Sequence, residues 1–336
     1  MRALLCRQWG EFKDLRVEDI PPPDLRPGCV RLRIAYAGLG FAVSLLVAGK
    51  YQRRPPLPFV PGTEVTATVI EVAAGVTRVN PGDWVLAVLD WGGFGEEAIA
   101  TEETVYPLLP GMDLASSTHL AISYPTAYAA LIWRARLQAG ETLLVHGAAG
   151  GTGLAAVELG RQLGARVVAC ASSAEKRAAA KAHGADLVLP ASDFRDQVKE
   201  YTGGRGADVI FDPVGGTAFD ESLRCIAPEG RILPIGFASG SVPQIPANIL
   251  LVKNISVLGL NYGTYVGWGL TDERGVYAPR VQAMMAQLFG WVGAGKLRPT
   301  LSHCFDLSRH AEAMDVVLSR GGVGKVVLKI NGEHDA

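Results

Sequence analysis

Apolar residues along this chain change their period twice. Over residues 30–36 they alternate with charged ones, Val30, Leu32 and Ile34 flanking Arg31 and Arg33, which predicts a half-buried strand. Residues 65–72 and 84–89 predict two more, separated by turn signals at Ala74-Gly75 and Asn80-Pro-Gly-Asp83. Pro21, Pro22 and Pro23 mark a stiff connection, and residues 55–61 an extended loop. This stretch therefore predicts a β-rich domain of barrel-like or sandwich type. Residues 121–131 turn helical, and beyond them strand and helix patterns alternate. Residues 141–145 read as a buried parallel strand. Leu154, Ala155, Val157, Leu159 and Leu163 then recur at helical spacing up to Gly164, a C-cap signal, and residues 166–170 form the next strand. Residues 207–211, 230–236 and 255–260 predict further strands. Residues 278–293 are helical, and 305–330 read as helix then strand, rejoining the first domain. The expected organisation is α/β, with residues 1–122 in one domain, 265–336 returning to it, and 123–264 forming the other.

Between the first buried strand and its helix lies Val145-His146-Gly147-Ala148-Ala149-Gly150-Gly151-Thr152-Gly153-Leu154. The pattern is A-x-G-x-x-G, with Ala148 at the first usual glycine. A pyrophosphate sits on the N–H groups of a helix N-terminus, where the macrodipole favours an anion. Side chains at Gly150 or Gly151 would hold the backbone away from phosphate oxygens, and Gly153 is expected to let the helix pack closely on the strand. A glycine-rich loop alone is weak evidence; flanked by strand, helix and strand it predicts dinucleotide binding. Ligands of open parallel sheets bind beyond the strand C-termini, which places Thr152, Val214, Gly215 and Phe237 around one crevice.

The second strand ends at Cys170-Ala171-Ser172-Ser173, so Ala171 stands where an acidic residue would select NAD. Ser172, Ser173 and Lys176, with Arg177 as an optional fourth, supply the hydroxyls and cations that a ribose 2′-phosphate needs. A serine N-cap with solvated basic neighbours is the alternative reading, and Glu175 weighs against the phosphate. NADPH is the expected cofactor.

Length and charge narrow the function. At 336 residues two domains fit, and a net charge of −1 speaks against a nucleic-acid or membrane-surface binder. Five dispersed cysteines, with no C-x-x-C, suit neither a disulfide framework nor a structural zinc site. No apolar run reaches membrane-spanning length, and the first residues lack a signal-peptide pattern. A soluble, cytoplasmic protein is expected.

Leu57-Pro-Phe-Val-Pro-Gly-Thr-Glu64, Val79-Asn-Pro-Gly-Asp-Trp-Val85, Gly92-Gly-Phe-Gly-Glu96 and Thr126-Ala-Tyr-Ala-Ala-Leu131 occur in this order. The phosphate loop, Asp212-Pro-Val-Gly-Gly216, Gly230-Arg-Ile-Leu-Pro-Ile-Gly236 and Gly324-Lys-Val-Val-Leu328 follow. As a set they resemble the zinc-free quinone oxidoreductases of the medium-chain dehydrogenase/reductase superfamily, and residues 248–265 resemble their quinone-oxidoreductase-like branch. The resemblance implies a GroES-like β-barrel domain, a Rossmann domain with a doubly wound parallel sheet, and a cleft between them. It implies an NADPH-dependent reductase of quinones or activated alkenes, usually a homodimer joined through the edges of its Rossmann sheets. Carried over by position, Thr126 lies near the nicotinamide and Lys325 near its amide end. Val214 and Phe237 lie along the cofactor, with Ala149, Gly150, Gly151, Thr152 and Gly153 at its phosphates and Asn261 as a further contact.

Tyr51 resembles the tyrosine that orients or protonates substrate in related enoyl thioester reductases; the other reading is a loop tyrosine packed under the prolines. Phe41, Trp91, Tyr124, Tyr262 and Tyr265 are further candidates to wall a flat pocket, or are simply core and surface. Zinc-dependent relatives hold their metal with a Cys, a His and further side chains. Here Thr63 stands where the His would lie and no cysteine falls between Cys29 and Cys170, so no metal ligand is assigned. One departure stands out. The family's Asn-Phe-x-Asp segment reads Gly40-Phe-Ala-Val43 here, in an expected loop, which predicts a more apolar or open pocket. It also keeps a second function in view, an NADPH-binding structural or regulatory protein with little turnover.

Overall fold

A computed structural model describes residues 1–331, which divide into two compact units. The first comprises Met1–Ile122, Gly263–Ala294 and the chain from Pro299 onward; the second comprises Ser123–Tyr262 and Gly295–Arg298.

The first unit is organised around one long strand, Cys29–Leu39, whose inward positions Val30, Leu32 and Ile34 are fully buried. It pairs antiparallel with Glu64–Val72, Glu97–Thr101 and the C-terminal strand Lys325–Lys329. Leu301–Asp306, Trp84–Val88 and Val105–Pro107 complete a seven-stranded sheet, and Arg2–Leu5 pairs separately with Arg16–Asp19. The returning chain thus supplies two strands to the first unit. Beyond Tyr36 the expected loop is ordered structure: the strand runs on to Leu39, Gly40 caps a helix Phe41–Val47, and Val43 is buried. A Val in place of a polar residue at 43 therefore belongs to an apolar helix face, a periodicity too short to see in seven residues.

The second unit holds a six-stranded parallel sheet. Its order is Leu187–Leu189, Arg166–Cys170, Thr142–Val145, Ala207–Asp212, Ile226–Pro234, Ser256–Val257. Numbered within the unit this is 3-2-1-4-5-6, the doubly wound Rossmann order, which reverses direction between Thr142–Val145 and Ala207–Asp212. The central strands are buried on both faces, so their sequences read as continuous apolar runs. Two expectations shift. The last strand is confined to Ser256–Val257. The helix His119–Tyr128 passes through Pro125 and leads straight into a wide helical turn, Ala129–Arg134; Leu120, Ala121 and Tyr124 are buried there, so packing holds what propensity disfavours.

Candidate functional site

In the second unit the site grows from the end of the first strand. The chain turns at Gly147, whose φ of +56° lies in the left-handed region, and Gly150 caps the helix Gly151–Gln162. Gly150 brings no capping side chain and the first turn carries no acidic residue. The helix therefore presents its N-terminus and positive dipole end to an anion. Ala148 N–H donates to Cys170 O at 3.1 Å, which pins the loop to the next strand. A Cβ at Gly153 would lie 2.2 Å from Gly147 O, so this glycine closes the helix onto the loop rather than onto the strand. Close helix–strand packing falls to Gly160 instead, where a Cβ would stand 2.5 Å from Leu143 Cδ2 and 3.0 Å from Val167 Cγ2.

The crevice at the reversal point is built by Asp212. Fully buried, its Oδ1 accepts from Val214 N–H at 2.8 Å and Gly215 N–H at 3.0 Å, which fixes the turn after the fourth strand. Space at Gly147 is bounded by Val214 Cγ2 at 3.5 Å, and at Gly215 by Phe237 Cδ1 at 3.2 Å. The glycine loop, Val214 and Phe237 thus meet, as the strand ends predict. Next to them Ala171 is buried, and Ser173 caps the helix Ala174–Ala182 by accepting from Lys176 N–H at 3.2 Å. A capping serine accepts through oxygen and keeps its O–H to donate. Ser172 and Glu175 are exposed, and Arg177 donates to Ala171 O at 3.2 Å. Thr126, half-buried, and Asn261, exposed, sit on other segments of this unit. Tyr124 walls no pocket: it is fully buried and its hydroxyl donates to Glu158 at 2.6 Å.

In the first unit Lys325 opens the C-terminal strand, 5% exposed, and its ammonium donates to Glu64 Oε1, itself on a residue 4% exposed. Glu64 Oε2 is buried and has no donor among the described residues. A Cβ at Gly38 would lie 2.7 Å from both Glu64 Cγ and Lys325 Cε, so the pair exists because position 38 has no side chain. At Gly40 a Cβ would lie 3.8 Å from Glu64 Oε1 and 3.9 Å from Lys325 Nζ, in ordinary contact with the pair.

The same unit contains a partly open cavity of about 40 Å³. Ala42, Val43 and Leu46 of the helix Phe41–Val47 form its apolar side. The opposite side is not apolar. Tyr51, Arg53, Thr63, Asp90 and Trp268 line it. Arg53 Nη2 donates to Asp90 Oδ1 at 3.1 Å, and its guanidinium stands 5.3 Å over the Trp268 ring and 5.9 Å from Trp91. Asp90 is shared: Arg274 Nη2 donates to its two oxygens at 2.9 and 3.1 Å. Arg274 also donates to Asp272 at 2.8 Å and Thr101 at 3.1 Å, in space that a Cβ at Gly267 would fill. Burial raises the Tyr51 phenol above its ordinary value, while the Arg53 charge pulls the other way. Tyr51 also packs against the core of this unit, so both of its readings have a structural counterpart.

Zinc does not fit. Among the described residues no three His, Cys, Asp or Glu side chains gather to hold a metal. Glu64 is committed to Lys325, and Thr63 offers no imidazole.

Comparison with known proteins decides the family. The Alcohol dehydrogenase GroES-like domain matches residues 26–111, and the family described as Zinc-binding dehydrogenase matches residues 151–274. Quinone oxidoreductase-like protein 2 homolog of Nematostella vectensis is 40% identical over 334 residues, spanning 97% of this chain and 88% of that protein. The chain belongs to the quinone oxidoreductase-like branch of the medium-chain dehydrogenase/reductase superfamily. Two solved structures share the fold of this quinone oxidoreductase-like chain. A mycobacterial protein complexed with NADPH superposes with a TM-score of 0.89 at 28% identity, covering 98% of this chain and 100% of that one. The quinone oxidoreductase of Thermus thermophilus, solved also with NADPH, gives 0.81 at 30% identity with the same coverages. Against this family background the cavity residues Arg53, Asp90 and Trp268, with Arg274 bound to Asp90 behind them, are what sequence reasoning misses. They come from distant segments, and no spacing announces that they meet.

Proposed function

We propose that this protein is an NADPH-dependent reductase of quinones or activated alkenes, such as enones and enoyl thioesters, working without a metal. The observation that carries the reading is the glycine-lined helix N-terminus at Gly150, a residue with no capping side chain, seated beside Val214 and Phe237 at the sheet's reversal point. Ala149, Gly150, Gly151, Thr152 and Gly153 would hold the pyrophosphate. Ser172, Ser173 and Lys176 would hold the 2′-phosphate, with Thr126, Val214, Phe237, Asn261 and Lys325 as further cofactor contacts. Solved relatives with NADPH support the same choice. When bound, NADPH supplies a hydride to an electron-poor carbon of the acceptor. With no metal, the acceptor must be conjugated to its own electron sink, and the protein orients it and steadies charge developing on its oxygen.

Tyr51 is the proposed proton donor to that oxygen or to the carbon beside it. Burial raises the phenol, which makes it a weaker acid, so its hydrogen is given only to a strongly basic enolate and its steady role is to hydrogen-bond the oxygen. The test is NADPH oxidation with a panel of quinones, enones and enoyl thioesters, run on wild type and Tyr51→Phe. Wild type should turn over at least one class, and the variant should lose roughly tenfold or more on alkenes. The loss should be smaller on quinones, whose oxygens take protons from water. Cofactor binding with no turnover on any acceptor would favour the structural or regulatory role instead.

We also propose that the protein is a homodimer, paired at the outer edge of the second unit's sheet. Ser256–Val257 pairs on one side only, with Ile226–Pro234, among the described residues. The adjacent helix Ala247–Lys253 leaves Leu251 78% and Val252 80% exposed. An open strand beside bare apolar side chains is a template for a second copy. Sedimentation at micromolar concentration should give twice the mass of one chain; a single-chain mass would rule the dimer out.

A further inference from the structure

The cavity beside Tyr51 has an imbalance of donors over acceptors. Tyr51 brings an O–H. Arg53 uses one hydrogen bond, from Nη2 to Asp90, and among the described residues its Nε and Nη1 have no acceptor. Trp268 belongs to the same wall, and its Nε1–H is buried without an acceptor. The one carboxylate present, Asp90, already accepts from two guanidinium groups. Asp272, the other carboxylate of the cluster, has a side chain 56% exposed, where water screens its charge; those of Arg53 and Arg274 are 21% and 10% exposed. The less exposed part of the cluster is therefore two guanidiniums on one carboxylate, Asp90, whose side chain is 30% exposed. Such a wall wants an oxygen that accepts hydrogen bonds and welcomes negative charge.

We propose that this cavity seats the carbonyl oxygen of the conjugated acceptor, and that Arg53 is a catalytic residue that stabilises the oxyanion formed there. The volume of about 40 Å³ suits one carbonyl head and a few atoms around it, with Ala42, Val43 and Leu46 packing the carbon side. The two tryptophans hold the guanidinium plane, and Arg274 holds Asp90, so Arg53 is oriented before the acceptor arrives. As the hydride adds to the β-carbon and NADPH becomes NADP⁺, the alkene electron pair moves through the conjugated system onto this oxygen. The enolate then takes a proton from the Tyr51 hydroxyl, which water replenishes. The reaction in this proposal rests on the reductase reading; recognition of an anionic oxygen does not.

The experiment separates the two. Para-nitrophenol is titrated against the protein without cofactor, its ionisation followed by absorbance. Bound to wild type it should ionise about one pH unit below the free phenol, a tenfold preference for the anion. Arg53→Gln should abolish that shift and lower kcat on enones by about a hundredfold with KM little changed. Arg53→Lys, which keeps the charge, should retain most of the shift. Asp90 stays paired with Arg274 in both variants, so neither leaves a buried carboxylate uncompensated. A shift in wild type that depends on Arg53, with no acceptor reduced, would defeat the reductase reading and leave the oxygen site standing. No shift in wild type, an unchanged shift in Arg53→Gln, or wild-type kcat on enones in that variant would each overturn the proposal.

Discussion

Ser173 shows how one side chain can serve two partners. Its oxygen caps a helix by accepting from Lys176 N–H, while its hydroxyl hydrogen remains to donate. The serine N-cap and the 2′-phosphate site are thus compatible uses of the same residues. Ala171, buried at the strand end, offers no carboxylate to a ribose hydroxyl or against a phosphate. Glu175 points its charge into water on the same turn, where screening weakens its repulsion. A phosphate paired with the Lys176 ammonium at a partly exposed site should contribute about 1–3 kcal/mol. Lys176→Ala should then weaken NADPH binding about tenfold or more and leave NADH nearly unchanged, as read by fluorescence titration of both cofactors. Equal losses for the two, or tighter wild-type binding of NADH, would remove the assignment.

At the scale of elements, legibility followed sequence distance. The unit Thr142–Val145, loop, Gly151–Gln162, Arg166–Cys170 could be read directly because the signals that mark it, apolar runs, glycines and a helical period, all lie within one short stretch. Its buried strands appear as apolar runs and its turn as glycines. Gly153 was legible as necessary but not in its reason: the contact that forbids a side chain is with Gly147 O, six residues back in the loop. Gly160, which carries the helix–strand contact, looked like any small residue on an apolar face. The helix Phe41–Val47 was hidden by its length, since seven residues give a periodicity less than two full turns to declare itself. Farther apart still, nothing in the chain tells that Glu64 meets Lys325, or that Arg53 and Arg274 share Asp90. Those pairings are set by which strands and loops become neighbours, and charged residues carry no periodic mark of their future partners. The candidate cofactor site was therefore largely readable and the cavity was not.

For the whole molecule the same rule of burial keeps a histidine neutral in each unit, His146 and His310, and with them sets an acid limit to stability. In the second unit His146 follows the first strand, fully enclosed, with Nε2 2.7 Å from Ser222 Oγ and its ring 4.7 Å from that of Phe194. Burial holds its pKa below the ordinary value, and the charge of Asp212 opposes this. In the first unit His310 opens the helix His310–Leu318, its ring 5.8 Å from that of Phe12. Burial lowers its pKa as well, against the hydrogen bond between its Nδ1 and the Leu307 carbonyl at 3.3 Å. A histidine with a lowered folded pKa stays neutral while its unfolded counterpart takes a proton near pH 6.5. The unfolded chain then binds more protons, so stability rises with pH across that window. It is fully present above about pH 6.5 and is lost as pH falls through the folded values. Melting temperature should accordingly be level from about pH 8 to 7 and decline steadily below about 6.5. His146→Gln keeps an amide to bond Ser222 and removes one titrating group. Its melting point is expected to be lower at neutral pH and to fall less steeply on acidification, with His310→Gln giving the same change of slope. Melting curves that stay flat to pH 5, or an acid slope identical in wild type and both variants, would show that neither histidine sets the limit.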